Sequence, residues 1–321
     1  MHFFVLCTRN VMKKSDLTSR IKQAALDVGF TKVGITGAES FDDAAAHLDE
    51  WVKRGMHGMM SYMERGHEKR RDVKNIFPEA KSILSLALNY YTPTPTSQPP
   101  HLKISRYAWG DDYHDVIWEM LEKLLAEIKK IAPEAEGRYY CDTGPVMDKV
   151  VADRAGVGWL GKHTNVITRE VGSWVFLSEI ILNLDLEVDP PAEDMCGTCN
   201  ACIEACPTDA IIAPYQLDAT KCISYLTIEL KPANDISEDL SKNFEGWLYG
   251  CDICQDVCPW NRFGEETPNI HFKPREENLL LTKEKVESME QEEFAKRFRG
   301  SPVKRTKLAG LKRNAKALGK R

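Results

Sequence analysis

The chain has 321 residues, 43% of them hydrophobic and 28% charged, a balance that excludes a disordered chain and leaves room for two packed domains. A net charge of −5 excludes a polycationic nucleic-acid binder, so any nucleic-acid surface must be local. No apolar run approaches the length of a membrane helix, so no transmembrane helix is expected.

The opening "MHFFVLCTRNVMKKSD" lacks the layout of a signal peptide, so residues 1–14 are expected to form an extension and the protein to be cytoplasmic. Ser15 is expected to cap a helix through Val28, with Leu17, Ile21, Ala24, Ala25 and Val28 on one face and Gly29 as its stop. "FTKVGI" (30–35) reads as a strand, and residues 41–55 as a helix ending at Gly55. "SILSLALNYY" (82–91) reads as a buried strand, followed by a Pro-rich loop over 92–100. Asp111 or Asp112 starts a helix striped by Ile117, Met120, Leu121, Leu124, Leu125, Ile128 and Ile131. "GRYYCD" is a short strand, "TGP" a turn, and Val146 to about Ala155 a helix. Residues 165–182 resemble a hairpin turning near Gly172. This alternation predicts an α/β front domain over 15–188. A cysteine-rich domain over 189–262 follows an acidic, proline-bearing linker. Residues 263–321 read as a helical segment whose last 21 residues carry eight Lys/Arg and no acid.

Eight of the ten cysteines cluster at 196/199/202/206, 222 and 251/254/258. Clustered C-x-x-C spacing points to metal ligands in a reducing compartment, not to disulfides. The run C-x2-C-x2-C-x3-C-P is the bacterial ferredoxin spacing, in which the fourth cysteine serves the other cluster. By count, Cys196, Cys199, Cys202 and Cys258 hold one [4Fe–4S] cluster, and Cys206, Cys222, Cys251 and Cys254 hold a second. Zinc also takes four cysteines, though rarely at this spacing. Cys7 and Cys141 are left over, Cys141 as a small strand residue. A ferredoxin-like module only passes electrons, so the front domain is expected to hold what receives them.

"YYCDTGPVMDKVVADRAGVGWLGKHTNVITREVGSWVFLSEIIL" (139–182) resembles the epoxyqueuosine reductase family. So do "MSYMERGHEKRRD" (60–72), "ISRYAWGDDYHDVI" (104–117), "KCISYLTIEL" (221–230) and "GCDICQDVCPWN" (250–261). The resemblance runs in order over about residues 15–320. It departs at Asp148-Lys149, where the family commonly has Glu-Arg, and at His163, where it commonly has Asn. Longer members continue into HEAT-like helical repeats beyond "LAGLKRNAKALG". The resemblance implies a corrinoid-binding α/β fold related to reductive dehalogenases and nitroreductases, joined to a ferredoxin-like domain with two [4Fe–4S] clusters. It implies cobalamin as cofactor and reduction of epoxyqueuosine to queuosine at the wobble position of tRNA. Electrons are expected from a flavodoxin- or ferredoxin-type donor, and the protein is expected to be a monomer. A dehalogenase-like corrinoid enzyme acting on a small molecule and a plain electron carrier are the other readings.

The resemblance places the family's proton donor at Asp142. Tyr139, Tyr140 and Cys141 hydrate it poorly, which is expected to favour the protonated carboxyl. The bland alternative is a turn or a helix cap. "DYHDVI" lacks the glycine of the D-x-H-x-x-G corrinoid signature, so Asp112 and His114 read as a helix start, and cobalamin is expected base-off without a histidine ligand. By analogy Arg65, Ser105, Asp142, Val166, Leu177, Ser224, Cys251 and Asp252 are candidate cobalamin contacts. Lys304, Arg305, Lys307, Lys312, Arg313 and Lys316 are candidate phosphate contacts for tRNA, or a solubilising basic end. Trp109 and Trp260 are candidate base-stacking or core residues.

Overall fold

The computed structural model describes residues 12–94 and 102–319. Cys7 and most of the Pro-rich loop lie outside them. The helix expected from Ser15 is α1 (Lys14–Val28). It ends where Gly29 takes φ 113°, a left-handed conformation that glycine adopts without the penalty a Cβ brings. Its N-cap is Lys13, without a side-chain bond, so Ser15 lies inside the first turn.

Strand β1 (Lys32–Gly37) leads to α2 (Asp42–Lys53), and β2 (Ser82–Asn89) is buried along its whole length. Asp112 caps α3 (Tyr113–Ile131) by accepting the His114 N–H at 3.1 Å. Then come β3 (Gly137–Tyr140), α4 (Asp148–Arg154), β4 (Trp159–Leu160), β5 (Val166–Ile167) and β6 (Val175–Leu182). The main sheet has the order β1-β2-β6-β3, with every neighbouring pair antiparallel.

The expected hairpin over 165–182 is only a turn closed by a Thr168–Gly172 bridge. β5 pairs with β4 in a separate ribbon, while β6 enters the main sheet between β2 and β3. The ribbon leaves a five-residue tip, 161–165, that projects toward the cysteines.

Side chains alternate across the sheet. Leu84, Leu86, Leu88, Phe176, Ile180 and Leu182 pack against Ile21 and Ala25 of α1 and the stripe Ile117, Leu121, Leu124 and Ile128 of α3. The opposite face carries Ile83, Ala87, Leu177 and Ile181, which pack near α4. The cysteine-rich part is short helices, one hairpin, Ile211–Ala213 with Gln216–Leu217, and a strand, Trp247–Tyr249, that pairs in parallel with Lys103–Ile104. It is stitched to the front by Trp51 Nε1 donating to Leu217 O at 2.7 Å and the Ala219 N–H donating to Met56 O at 3.0 Å.

The C-terminal segment is no loose tail. Leu281, Val286, Phe294, Phe298, Val303, Leu311 and Ala315 share a core with Ile104, Trp109, Leu248 and Tyr249. It ends in α5 (Lys307–Leu318). Among the described residues no helix is long and apolar enough to cross a membrane.

Candidate active site and cysteine centres

A cavity of about 550 Å³ lies between β6 and the cysteine-rich region. Val175, Phe176 and Leu177 form part of one wall, and Cys206, Cys222, Cys251 and Cys254 belong to the other. Asp142 lines it just beyond the end of β3, at φ 58°, a left-handed backbone that side-chain-bearing residues seldom adopt and that recurs at functional sites.

The Asp142 Oδ2 accepts the Tyr113 hydroxyl at 2.6 Å and lies 3.7 Å from His114 Nε2. His114 Nδ1 is 2.7 Å from Asp112 Oδ1. The Tyr113 ring stacks between His114 at 4.0 Å and Phe176 at 4.3 Å, which fixes its hydroxyl against the carboxylate. The first residues of α3 thus form a polar shelf behind Asp142.

This shelf corrects the expected protonation. The imidazole of His114 is the main influence on Asp142; 3.7 Å is an ion-pair distance and not a hydrogen bond, yet this pairing overcomes desolvation, is helped by the Tyr113 hydroxyl, and holds the carboxyl below its ordinary range. Burial opposes charge on His114, but the carboxylates of Asp112 and Asp142 outweigh it and raise its pKa to about 9. At neutral pH the proton resides on the imidazole, and Asp142 is a carboxylate. The Asp142 side chain is 66% accessible, but the space it meets is the cavity. The neighbours Tyr139 and Tyr140 do not decide the matter; a histidine from another element does.

Deeper in the same region, Glu179 of β6 is fully buried with neither carboxylate oxygen paired, and Asp148 is near enough for its charge to act on it. Burial raises both carboxyls, and two facing carboxyls need a proton between them. Lys149 lines the cavity and donates to Thr164 O at 2.7 Å and Asn165 Oδ1 at 3.2 Å.

Cys196, Cys199, Cys202 and Cys258 ring a separate cavity of about 280 Å³. Cys199 is exposed, which puts this quartet at the surface. Its loop is held by Lys162, whose Nζ donates to Gly197 O at 2.8 Å, Cys199 O at 2.9 Å and Asn200 Oδ1 at 3.0 Å. All the described cysteines are free thiols, and their two groups of four coincide with the two quartets expected from spacing. No group of three or more His, Cys, Asp or Glu among the described residues is drawn together as for a single ion. The soft sulfur donors standing around open space fit iron–sulfur clusters.

Of the candidate cobalamin contacts, Ser105, Asp142, Val166, Leu177, Ser224 and Cys251 line the large cavity. Two do not. Arg65 is exposed in a turn, and Tyr62 reaches the cavity from the same segment. Asp252 is buried behind the wall, where it accepts from Ser105 Oγ at 2.5 Å and the Arg106 N–H at 2.7 Å; it positions Ser105. Hydroxyls among aliphatic and aromatic walls suit a broad macrocycle with amide side chains.

Trp109 is a core residue whose Nε1 donates to Ile104 O at 2.7 Å. Trp260 packs edge-on to Trp159 in the wall of the small cavity. Trp109 is thus unavailable for base stacking, whereas Trp260 is half-buried. Cys141 is a buried core thiol.

Lys304, Arg305, Lys307 and Lys316 are exposed, and Lys312 is half-buried. Arg305 pairs with both carboxylate oxygens of Glu229, itself a cavity residue, at 2.7 and 3.0 Å. Arg313 leaves the set of phosphate contacts. It is buried, and its guanidinium donates to the carbonyls of Leu226, Leu230, Lys231 and Asn234.

Sequence reasoning missed Tyr113 and set His114 aside as a helix start. The one available signal was that a capping aspartate followed by Tyr-His puts both rings at a helix N-terminus. Lys162 and Glu179 carried no local signal.

A family model described as "Epoxyqueuosine reductase QueG, DUF1730" matches residues 70–143, and one described as "4Fe-4S double cluster binding domain" matches residues 195–261. A protein of Cellulophaga algicola named epoxyqueuosine reductase is 47% identical over 302 residues, covering 94% of this chain and 97% of its own. One of Synechocystis sp. with the same name is 44% identical over 278 residues, covering 86% and 95%. Among solved structures, a selenomethionine-labelled epoxyqueuosine reductase superposes with a TM-score of 0.89 at 32% identity, covering 95% of this chain and 82% of its own. An epoxyqueuosine reductase bound to an epoxyqueuosine-modified tRNA-Tyr stem loop gives a TM-score of 0.88 at 32% identity, covering 95% and 81%.

Proposed function

The chain belongs to the epoxyqueuosine reductase family, and from that premise we propose that it reduces the epoxide of epoxyqueuosine in tRNA to the alkene of queuosine. The reaction consumes two electrons and two protons and releases water. The observation that carries this reading is one cavity with a proton-handling shelf on one side and a cysteine quartet on the other.

Cobalamin, held among Ser105, Val166, Leu177, Ser224 and Cys251, would supply the strongly reducing centre that C–O cleavage needs. The Cys206/222/251/254 quartet would hold one [4Fe–4S] cluster beside it, and the Cys196/199/202/258 quartet the other. Exposure of Cys199 suits contact with a flavodoxin- or ferredoxin-type donor. His114 is committed to two carboxylates, Asp112 at 2.7 Å and Asp142 at 3.7 Å, so its role on this side of the cavity is to hold a proton.

Asp142 is the proton donor. As the epoxide oxygen gathers charge, Asp142 delivers a proton drawn from the His114 imidazolium, and Tyr113 keeps the carboxylate oriented. The modified base leaves its stack to enter the cavity. Lys304, Arg305, Lys307, Lys312 and Lys316 hold the tRNA backbone outside. We read residues 15–188 as the catalytic unit, 189–262 as the cluster unit and 263–321 as the tRNA-side segment of a cytoplasmic monomer.

Asp142→Asn is expected to keep its iron and cobalamin and to lose turnover. Mass spectrometry of nucleosides from an epoxyqueuosine-bearing stem loop reads this directly. Wild-type queuosine yield from the variant would remove Asp142 from the mechanism.

A further inference from the structure

One short segment lines both of the cavities that the cysteine quartets face. At the tip between β4 and β5, Lys162 and His163 line the small cavity, while His163, Thr164 and Asn165 line the large one. His163 is the residue common to both walls.

The tip is held rigid. Lys162 ties it to the 197–200 loop on one side, and Lys149 donates to Thr164 O and Asn165 Oδ1 on the other. Thr164 closes the turn at φ 67°, a left-handed conformation unusual for a β-branched residue. The Thr164 N–H donates to Gly161 O, and the Gly161 N–H donates to Asn165 O, both at 2.8 Å.

The tip also sets the tautomer of His163. The Asn165 N–H donates to His163 Nδ1 at 3.1 Å. A ring nitrogen that accepts carries no proton, so the ring is neutral and its hydrogen lies on Nε2. His163 is only 4% exposed, and Nε2 has no hydrogen-bond partner among the described residues. Buried donors are normally paired. Here the ring stands in the wall between two spaces that are each faced by four thiols.

We propose that His163 Nε2–H donates a hydrogen bond to a sulfur of an iron–sulfur cluster and thereby raises that cluster's reduction potential. The inference rests on the two-cluster reading above. Cluster sulfurs gain negative charge on reduction, so a fixed N–H directed at them favours the reduced state. His163 is a potential-setting residue; it touches no substrate.

The test is an EPR-monitored redox titration of the holoprotein, prepared without oxygen and with full iron content confirmed. His163→Phe keeps a ring in the wall and removes the donor, and it is expected to lower the midpoint potential of one cluster. His163→Gln places an amide N–H near the position of Nε2 and is expected to stay close to the wild-type value. The cluster that moves identifies the quartet the ring faces. Unchanged potentials for both clusters in His163→Phe overturn the inference, as does an equal fall in the Phe and Gln variants.

Should His163→Phe lose iron, wild-type protein labelled with 15N-histidine decides the question. Pulsed EPR of the reduced clusters is expected to show a histidine nitrogen coupling, and its absence from both clusters overturns the inference. Wild-type protein that cannot be loaded with iron would instead refute the two-cluster reading.

Discussion

Asp142 and His114 share one proton-handling task between an acceptor and a reservoir. With the His114 pKa near 9, the reservoir is full at neutral pH and empties as pH rises through that value. The rate of epoxide reduction is therefore expected to fall as pH rises through about 9. His114→Gln should abolish that limb and slow reduction by roughly 10²- to 10⁴-fold, the usual worth of acid–base assistance. Single-turnover assays on a stem loop across pH 6–10 check both outcomes. The same pairing also affects the fold. Because the His114 pKa is raised above the ordinary histidine value of 6.5, its stabilisation is complete below that pH and lost as pH climbs through about 9. Asp142 itself was legible as a residue at the end of a strand within a recognisable segment. Its charge state was not, because the deciding partner belongs to α3, far back in the chain.

At the scale of elements, the β4–β5 ribbon matters more than its four paired residues suggest. Lys162 satisfies two backbone carbonyls and one side-chain oxygen of the first cysteine loop. Lys162→Met leaves those acceptors without their donor, at about 1–3 kcal/mol of local stability. The expected result is faster release of iron to a chelator from one of the two clusters, with the other unaffected; iron-release kinetics resolve the two phases. The sequence pattern here was misleading in an instructive way. Val166–Ile167 and Val175–Leu182 flank a good turn at Gly172 and look like partners. They belong to different sheets because Trp159–Leu160 competes successfully for the first of them. The helices were easier to read. The α3 stripe recurs at helical spacing, and Ile117, Leu121, Leu124 and Ile128 are all fully buried.

Across the whole molecule, positive charge near the C-terminus serves two separate purposes. Lys304, Lys307 and Lys316 face outward. Replacing all three by Ala should weaken stem-loop binding and reduce the slope of log affinity against log salt by about 2–3, near 0.7–0.9 per phosphate contact. Arg313 points inward to carbonyls from 226 to 234. Arg313→Met should leave the salt slope unchanged and lower stability by about 1.5–3 kcal/mol, read from the urea midpoint. Composition alone could not separate these groups, because the partners of Arg313 lie some eighty residues earlier. The cysteine spacing, by contrast, needed no tertiary information to be read as two quartets.

The staple made by Arg313 and its neighbour has a consequence for biosynthesis. Asn314 Nδ2 donates to Thr227 O and Leu248 O, so it braces the segments that follow Cys222 and precede Cys251. These residues of α5 are made well after the last cysteine has been translated. Until they emerge from the ribosome, the second quartet has its thiols but not its frame. Cluster assembly there should follow completion of the chain and not accompany its synthesis. A folding defect at Arg313 should therefore appear first as iron missing from the cluster beside the cavity.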